Sequence, residues 1–134
     1  MINDKMQAAF NEQMAKEMVS SQLYLAMAAY FHASGLDGMG RWMEVQAKEE
    51  MSHAMKFYDH LKDRMGTIVI PGIDKPKAKW ASPLAAFKAA LEHERFISKS
   101  INDLTELALK EKDHASSAML QWFNKEQIEE EAQV

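Results

Sequence analysis

Long stretches free of glycine and proline dominate this sequence, and they leave few options other than a set of long helices. Three segments, each near 30 residues, are rich in Ala, Leu, Met, Glu, Lys and Gln, the strong helix formers. The first runs from about Asn3 to Ser34, with Asn3 or Asp4 as N-cap and Gly35 as a stop signal. The second follows the Gly35–Gly40 turn, with Asp37 a candidate cap, and runs to about Met65, where Gly66 ends it. The third opens on Ser82-Pro83, a cap residue followed by proline at the first helical position, and continues to about Lys110. Asp113 caps a fourth helix that runs to Val134. This helix has about 21 residues and no glycine, proline or basic last turn, so the C-terminus reads as cut or unusually short.

A helix of roughly 30 residues is ~45 Å long. Two links, Gly35–Gly40 and Glu111–Asp113, are short, and short links force antiparallel neighbours. The link from Gly66 to Ala81 is long enough to cross a bundle from end to end. The pattern therefore predicts an all-α fold: one domain, residues 1–134, built as an up-down-down-up four-helix bundle with a long crossover between helices two and three. The β-branched run Thr67-Ile68-Val69-Ile70 adds the expectation of a short exposed strand, able to pair with its copy in a second subunit.

Composition narrows the chemistry. The chain has no cysteine, which removes disulfide scaffolds, thiol catalysis and Cys-ligated metal sites. A metal must then be held by His, Asp, Glu, amides or water. A net charge of −4 argues against a general affinity for nucleic acid. The start, MINDKMQAAF, lacks the pattern of a secretory signal, and no run approaches ~20 apolar residues, so neither export nor a membrane is expected and the location is read as cytoplasmic.

Helical periodicity shows where that chemistry sits. Phe10, Met14, Glu17, Ser21, Tyr24, Ala28 and Phe31 fall on one stripe of the first helix. Met43, Gln46, Glu50, His53, Phe57 and Leu61 form the stripe of the second. Leu84, Phe87, Leu91, Glu94, Ile97, Ile101 and Leu104 form that of the third, and Met119, Phe123, Gln127, Glu130 and Val134 that of the fourth. Each helix thus places an acid among its core positions. A buried unpaired carboxylate costs several kcal/mol, and His53 cannot balance four of them. A pair of multivalent metal ions can. Glu50-x-x-His53 puts a carboxylate and an imidazole on one helix face, and oxygen-rich ligation with one imidazole suits iron or manganese. Glu49, Glu126 and Glu129 lie one position off the stripes and flank the same level. Tyr24 lies on the Glu17 stripe, able to hydrogen-bond a ligand or to serve as an electron source. Trp122, one position off its stripe, reads as packing, and His32, His60, His93 and His114 have no ligand-like spacing.

The set Glu17, Tyr24, Glu49-Glu50-x-x-His53, Glu94 and Gln127-x-x-Glu130 resembles the bacterial non-haem ferritins over essentially the whole chain. The resemblance implies a ferroxidase centre. One iron would be held by Glu17, Glu50 and His53, the second by Glu50, Glu94 and Glu130, with Gln127 close by. Glu49, Glu126, Glu129 and Glu130 would match a third iron site, and Tyr24, with Trp122, residues that supply electrons. Met51 stands where bacterioferritins carry a haem-ligating methionine, but those proteins repeat Glu-x-x-His on the fourth helix, and here Gln127 and Glu130 stand without a histidine. The resemblance further implies oxidation of Fe(II) by O2 or H2O2 and storage of ferric oxide mineral inside a homo-oligomeric, 24-subunit cage. Ferritins of this type extend the fourth helix and add a fifth, and neither follows Val134. Two alternatives are a metal-binding helical scaffold without oxidase activity and a small di-iron oxidase that forms no cage.

Overall fold

The computed structural model describes residues 1–134, and four helices account for its regular structure: α1 (Asp4–Ala33), α2 (Asp37–Asp63), α3 (Pro83–Lys110) and α4 (His114–Gln133). Three start where the sequence places a capping side chain. Asn3 accepts from the Met6 N–H, Ser82 from Ala85 and Asp113 from Ser116, each satisfying a donor the first turn leaves orphaned.

The ends of α1, α2 and α3 are built alike. Leu36 N–H reaches Phe31 O, Gly66 N–H reaches Leu61 O and Asp113 N–H reaches Ala108 O, each closing a six-residue loop around a left-handed residue. Those residues are Gly35 at φ 74°, Met65 at φ 57° and Lys112 at φ 53°. Gly66 closes the second helix through its N–H, as its position suggests, while the left-handed residue is Met65 before it. The first link is shorter than the expected Gly35–Gly40, because α2 already begins at Asp37. Gly40 lies inside the helix for a packing reason: a Cβ there would lie 2.6 Å from the His32 ring of α1. Asp37 does not cap α2 but pairs with that ring, Oδ1 to Nδ1, at 2.8 Å.

Cross-helix contacts fix the topology. Ser21 Oγ donates to Ala47 O, Tyr24 meets Glu94, Phe57 stacks on Phe123 and Gln127 reaches Glu94. Every pair runs antiparallel, so α1 and α4 point one way and α2 and α3 the other. This is the expected up-down-down-up bundle, with the crossover spanning its length. The expected strand at Thr67–Ile70 is absent. Side chains of α1 hold that backbone instead: Thr67 N–H donates to Gln7 Oε1, Val69 N–H to Asn11 Oδ1, and Asn11 Nδ2 donates to Thr67 O. A segment whose polar groups are already satisfied by side chains has less need of a strand partner.

The stripes on α1 and α2 are buried much as read, with Ser20 rather than Ser21 the fully covered serine. On α3 the register turns by a residue at the start: Leu84 is exposed, while Ala86 and Ala90 are buried under Trp80 and the aromatic group around Phe87. Leu120 likewise takes the covered place on α4, with Met119 packed at its edge. The apolar interior consists of two clusters. One gathers Ile2, Met6, Phe10, Met14, Phe57, Leu61, Ile97, Leu120 and Phe123. The other gathers Tyr24, Met27, Phe31, Met43, Trp80, Ala86 and Ala90. No helix is long and apolar enough to cross a membrane.

Candidate metal centre

Between the two apolar clusters lies a layer of buried polar side chains, one or two from each helix. Glu17, Glu50, His53, Glu94, Gln127 and Glu130 are each 4% exposed or less. The antiparallel packing brings these mid-helix positions to one level. Two groups of carboxylate and imidazole atoms lie within 4.8 Å of one another: Glu17, Glu50 and His53 in one, Glu50, Glu94 and Glu130 in the other. Glu50 belongs to both. A third group joins His53, Glu130 and the half-buried Glu126.

The hydrogen bonds leave this layer conspicuously incomplete. His53 Nδ1 lies 3.2 Å from Glu50 Oε2 and 3.9 Å from Glu17 Oε2. Tyr24 Oη donates to Glu94 Oε1 at 2.7 Å, and Gln127 Nε2 donates to Glu94 Oε2 at 3.1 Å. Yet Glu17 Oε2, Glu50 Oε1, Glu130 Oε2, Gln127 Oε1 and Gln46 Oε1 are buried with no hydrogen-bond partner. Native interiors rarely tolerate such orphans, and these are concentrated at one level.

The electrostatics agree. Burial, then the charge of Glu50, raises the Glu17 carboxyl well above its usual range, against the opposing pull of His53 and Gln13. Burial and the Glu94 charge push Glu50 up to about 9. Burial and the charges of Glu94, Glu49 and Glu126 push Glu130 up to about 9. Burial and Glu94 raise the Tyr24 phenol, so it stays protonated and remains a donor. Such shifts mark anions without countercharge, and a bound multivalent cation reverses them. The orphaned atoms are carboxylate and amide oxygens around one imidazole, a donor set that fits iron.

Of the flanking acids, Glu126 reaches the layer and Glu49 is near enough to act on Glu130, whereas Glu129 is exposed and belongs to none of the three groups. Trp122 packs edge-on to His53, ring centres 5.4 Å apart, with Lys56 Nζ 4.2 Å above its indole. His93 lies 2.6 Å from Ser20 Oγ and His60 stacks on Phe10, and neither belongs to the three groups. Sequence reasoning missed a set of supporting polar residues. Gln13 donates to Glu17, Ser98 accepts from Gln127 and donates to Glu131, and Ser100 donates to Gln13. Their signal is a polar residue one helical turn from a stripe acid: Gln13 before Glu17, Ser98 after Glu94.

Residues 7–134 match the family model described as a ferritin-like domain. The chain is 43% identical over 132 residues to a bacterial non-heme ferritin of Bacteroides fragilis, covering 98% of this chain and 83% of that one. It is 39% identical to a bacterial non-heme ferritin of Staphylococcus epidermidis, covering 98% and 80%. Among solved structures it is similar to an open pore ferritin from Archaeoglobus fulgidus, with TM-score 0.97 and 45% identity over 98% of this chain and 80% of that one. It is also similar to a humanized archaeal ferritin, with TM-score 0.98 and 47% identity over 99% and 81%.

Proposed function

This chain belongs to the ferritin-like family, and on that premise we propose that it is a cytoplasmic iron-storage protein that oxidises Fe(II) in the polar layer of its bundle. The observation that carries the reading is the cluster of partnerless oxygens on Glu17, Glu50, Glu130 and Gln127, buried around His53 and Glu94. An interior with more negative groups than countercharge is stable in the ionised form only with a multivalent cation among them.

Fe(II) is the substrate. Glu17, Glu50 and His53 hold one ion, and Glu50, Glu94 and Glu130 the second, so Glu50 sets their separation. Two ions lose one electron each, and the electron pair with two protons reduces O2 to H2O2, or H2O2 to water. The buried anions favour the more highly charged Fe(III), which supplies the driving force. The carboxylates release their protons as the ions bind, since each ligand must be ionised to coordinate. Tyr24 keeps Glu94 oriented through its 2.7 Å hydrogen bond and is an oxidisable group in direct contact with a ligand. Gln127 fixes the other oxygen of Glu94 and turns its free Oε1 inward. Glu126 beside His53 and Glu130 offers a third iron position, with Glu49 close to Glu130 and the exposed Glu129 as its outer acids. The oxidised product leaves for the interior of a homo-oligomeric cage and grows there as ferric oxide mineral.

Two measurements on one preparation test this. Oxygen uptake on adding Fe(II) is expected to exceed the protein-free control. The purified assembly is expected to run at several hundred kilodaltons (~24 chains of a small domain) with iron inside. Uptake equal to the control contradicts the oxidase. A monomer- or dimer-sized particle contradicts storage in a cage.

A further inference from the structure

Behind Glu17, where α1 packs on α3, a line of hydrogen bonds runs from solvent to the interior. Gln13 is buried one helical turn before Glu17. Its Nε2 lies 3.4 Å from Glu17 Oε1, and its Oε1 lies 2.5 Å from Ser100 Oγ. Ser100 Oγ is in turn 2.9 Å from Lys16 Nζ. Lys16 is partly exposed, 3.6 Å from Glu12 and 5.6 Å above the centre of the Phe96 ring.

The chemistry of the donors gives this line a direction. An ammonium only donates, so Ser100 Oγ accepts from Lys16. A separation of 2.5 Å belongs to O–H···O contacts and is too short for N–H···O, so the Ser100 hydroxyl donates to the Gln13 carbonyl oxygen. The Gln13 amide then has one orientation, with its NH2 toward Glu17. The reverse would set two oxygens against each other there. Glu17 Oε1 therefore receives a donor from the protein, while Oε2 has none and lies 3.9 Å from His53 Nδ1.

We propose that the Lys16–Ser100–Gln13 line is a positioning device that occupies Glu17 Oε1 and presents Oε2 alone to the ion shared with Glu50 and His53. Gln13 and Ser100 touch neither the metal nor the oxidant. They act through Glu17, by fixing which oxygen faces inward and limiting that carboxylate to one bond. Glu94 is held in the comparable way on the opposite side, by Tyr24 and Gln127, one donor on each oxygen. Glu50, which has to serve both ions, has only His53 beside it among hydrogen-bond partners. Glu17 and Glu94 are braced, whereas Glu50, which serves two ions, and Glu130, whose Oε2 has no partner, are left adjustable. Partners behind a ligand typically govern metal affinity by ~10- to 100-fold.

The proposal rests on the reading of the layer as a metal centre, and the test separates the two. Co(II) is titrated without oxygen into the metal-free full chain and followed by its visible absorption and by calorimetry. The wild-type protein is expected to bind about two ions per chain, one in each of the two groups that share Glu50. The ion whose bands vanish in His53→Ala is the one next to Glu17. Gln13→Leu is expected to weaken that ion ~10-fold or more and shift its bands, while the other changes less than ~3-fold. Ser100→Ala is expected to lose affinity in the same direction, and Ser100→Thr, which keeps the hydroxyl, to restore it. A serine pair indistinguishable from wild type overturns the positioning device, even if Gln13→Leu fails to fold. Unchanged Co(II) binding in a folded Gln13→Leu does the same and leaves the metal centre standing. Wild-type protein that stays helical and binds no Co(II) overturns the metal centre, and the device with it.

Discussion

Two buried polar clusters in this molecule differ in one respect, closure. At one end of the bundle, Arg64, Asp113, Ser116 and His60 tie α2 to the start of α4. Arg64 Nη1 donates to Asp113 Oδ1 at 2.9 Å, Ser116 N–H donates to the same oxygen at 3.1 Å, and Ser116 Oγ donates to Asp113 Oδ2 at 2.8 Å. His60 Nε2 lies 3.0 Å from Ser116 Oγ. Every oxygen of that carboxylate is used. Burial alone would raise Asp113, but the Ser116 N–H, the guanidinium and the Ser116 hydroxyl outweigh it and hold the group below its usual range. In the central layer the balance is reversed: Glu17, Glu50 and Glu130 are raised, and each keeps an oxygen without a partner. One cluster is complete within the chain. The other leaves buried oxygens on Glu17, Glu50 and Glu130 without a partner.

Breaking each cluster in turn makes the contrast measurable. The largest effect is expected on activity: Glu50→Ala or Glu94→Ala should bring Fe(II) oxidation down to the protein-free rate with helical circular dichroism unchanged. Stability should respond with opposite signs in the two places. Asp113→Ala removes an N-cap and leaves Arg64 unpaired, and should cost about 1–3 kcal/mol in urea unfolding with or without metal. Glu50→Gln removes the cost of protonating this carboxyl as it is buried, and should stabilise the metal-free protein at pH 8.

The pH dependence follows the same division. Glu50 and Glu130 bind protons more tightly folded than unfolded, so the folded state carries more protons between the usual glutamate value, 4.5, and about 9, and Glu17 is raised in the same direction. Their contribution is fully present below that window, and stability of the metal-free protein falls as pH rises through it. Asp113 is lowered, so its contribution is present above the ordinary aspartate value of 3.8 and is lost as pH falls below it. Thermal melts of metal-free protein should therefore decline from pH 5 to pH 9, and saturating Co(II) should flatten the decline. A smaller effect is expected of Tyr24→Phe, which removes one hydrogen bond to Glu94. Oxidation should slow several-fold, with a stability loss of about 1 kcal/mol.

Much of this was legible in the sequence because the signal was periodic. A glutamate recurring with apolar residues at helical spacing cannot face water without taking its neighbours along, so spacing alone places Glu17, Glu50 and Glu94 in the interior. The link lengths gave the topology by the same economy. What was not legible depended on partners distant in the chain. The Thr67–Ile70 segment carries strand residues, but Gln7 and Asn11 of α1 claim its backbone. Gly40 reads as a turn residue until His32 is seen lying against it. Met65 and Lys112 take left-handed conformations that glycine would adopt more readily, and no local rule singles them out. Leu84 has the right spacing to be core, yet Ala86 and Ala90 are the covered residues at the start of α3, in the cluster that also holds Trp80. Gln13 and Ser98 show only a faint signal, a polar residue one turn from a stripe acid, and the role of Ser100 exists only once α1 and α3 stand side by side.

The most direct measurement is diffraction at the iron absorption edge from crystals soaked in ferrous salt without oxygen. Two anomalous peaks are expected in the central layer, one among Glu17, Glu50 and His53 and the other among Glu50, Glu94 and Glu130. No density in that layer, with these carboxylates turned away toward solvent, would contradict the account.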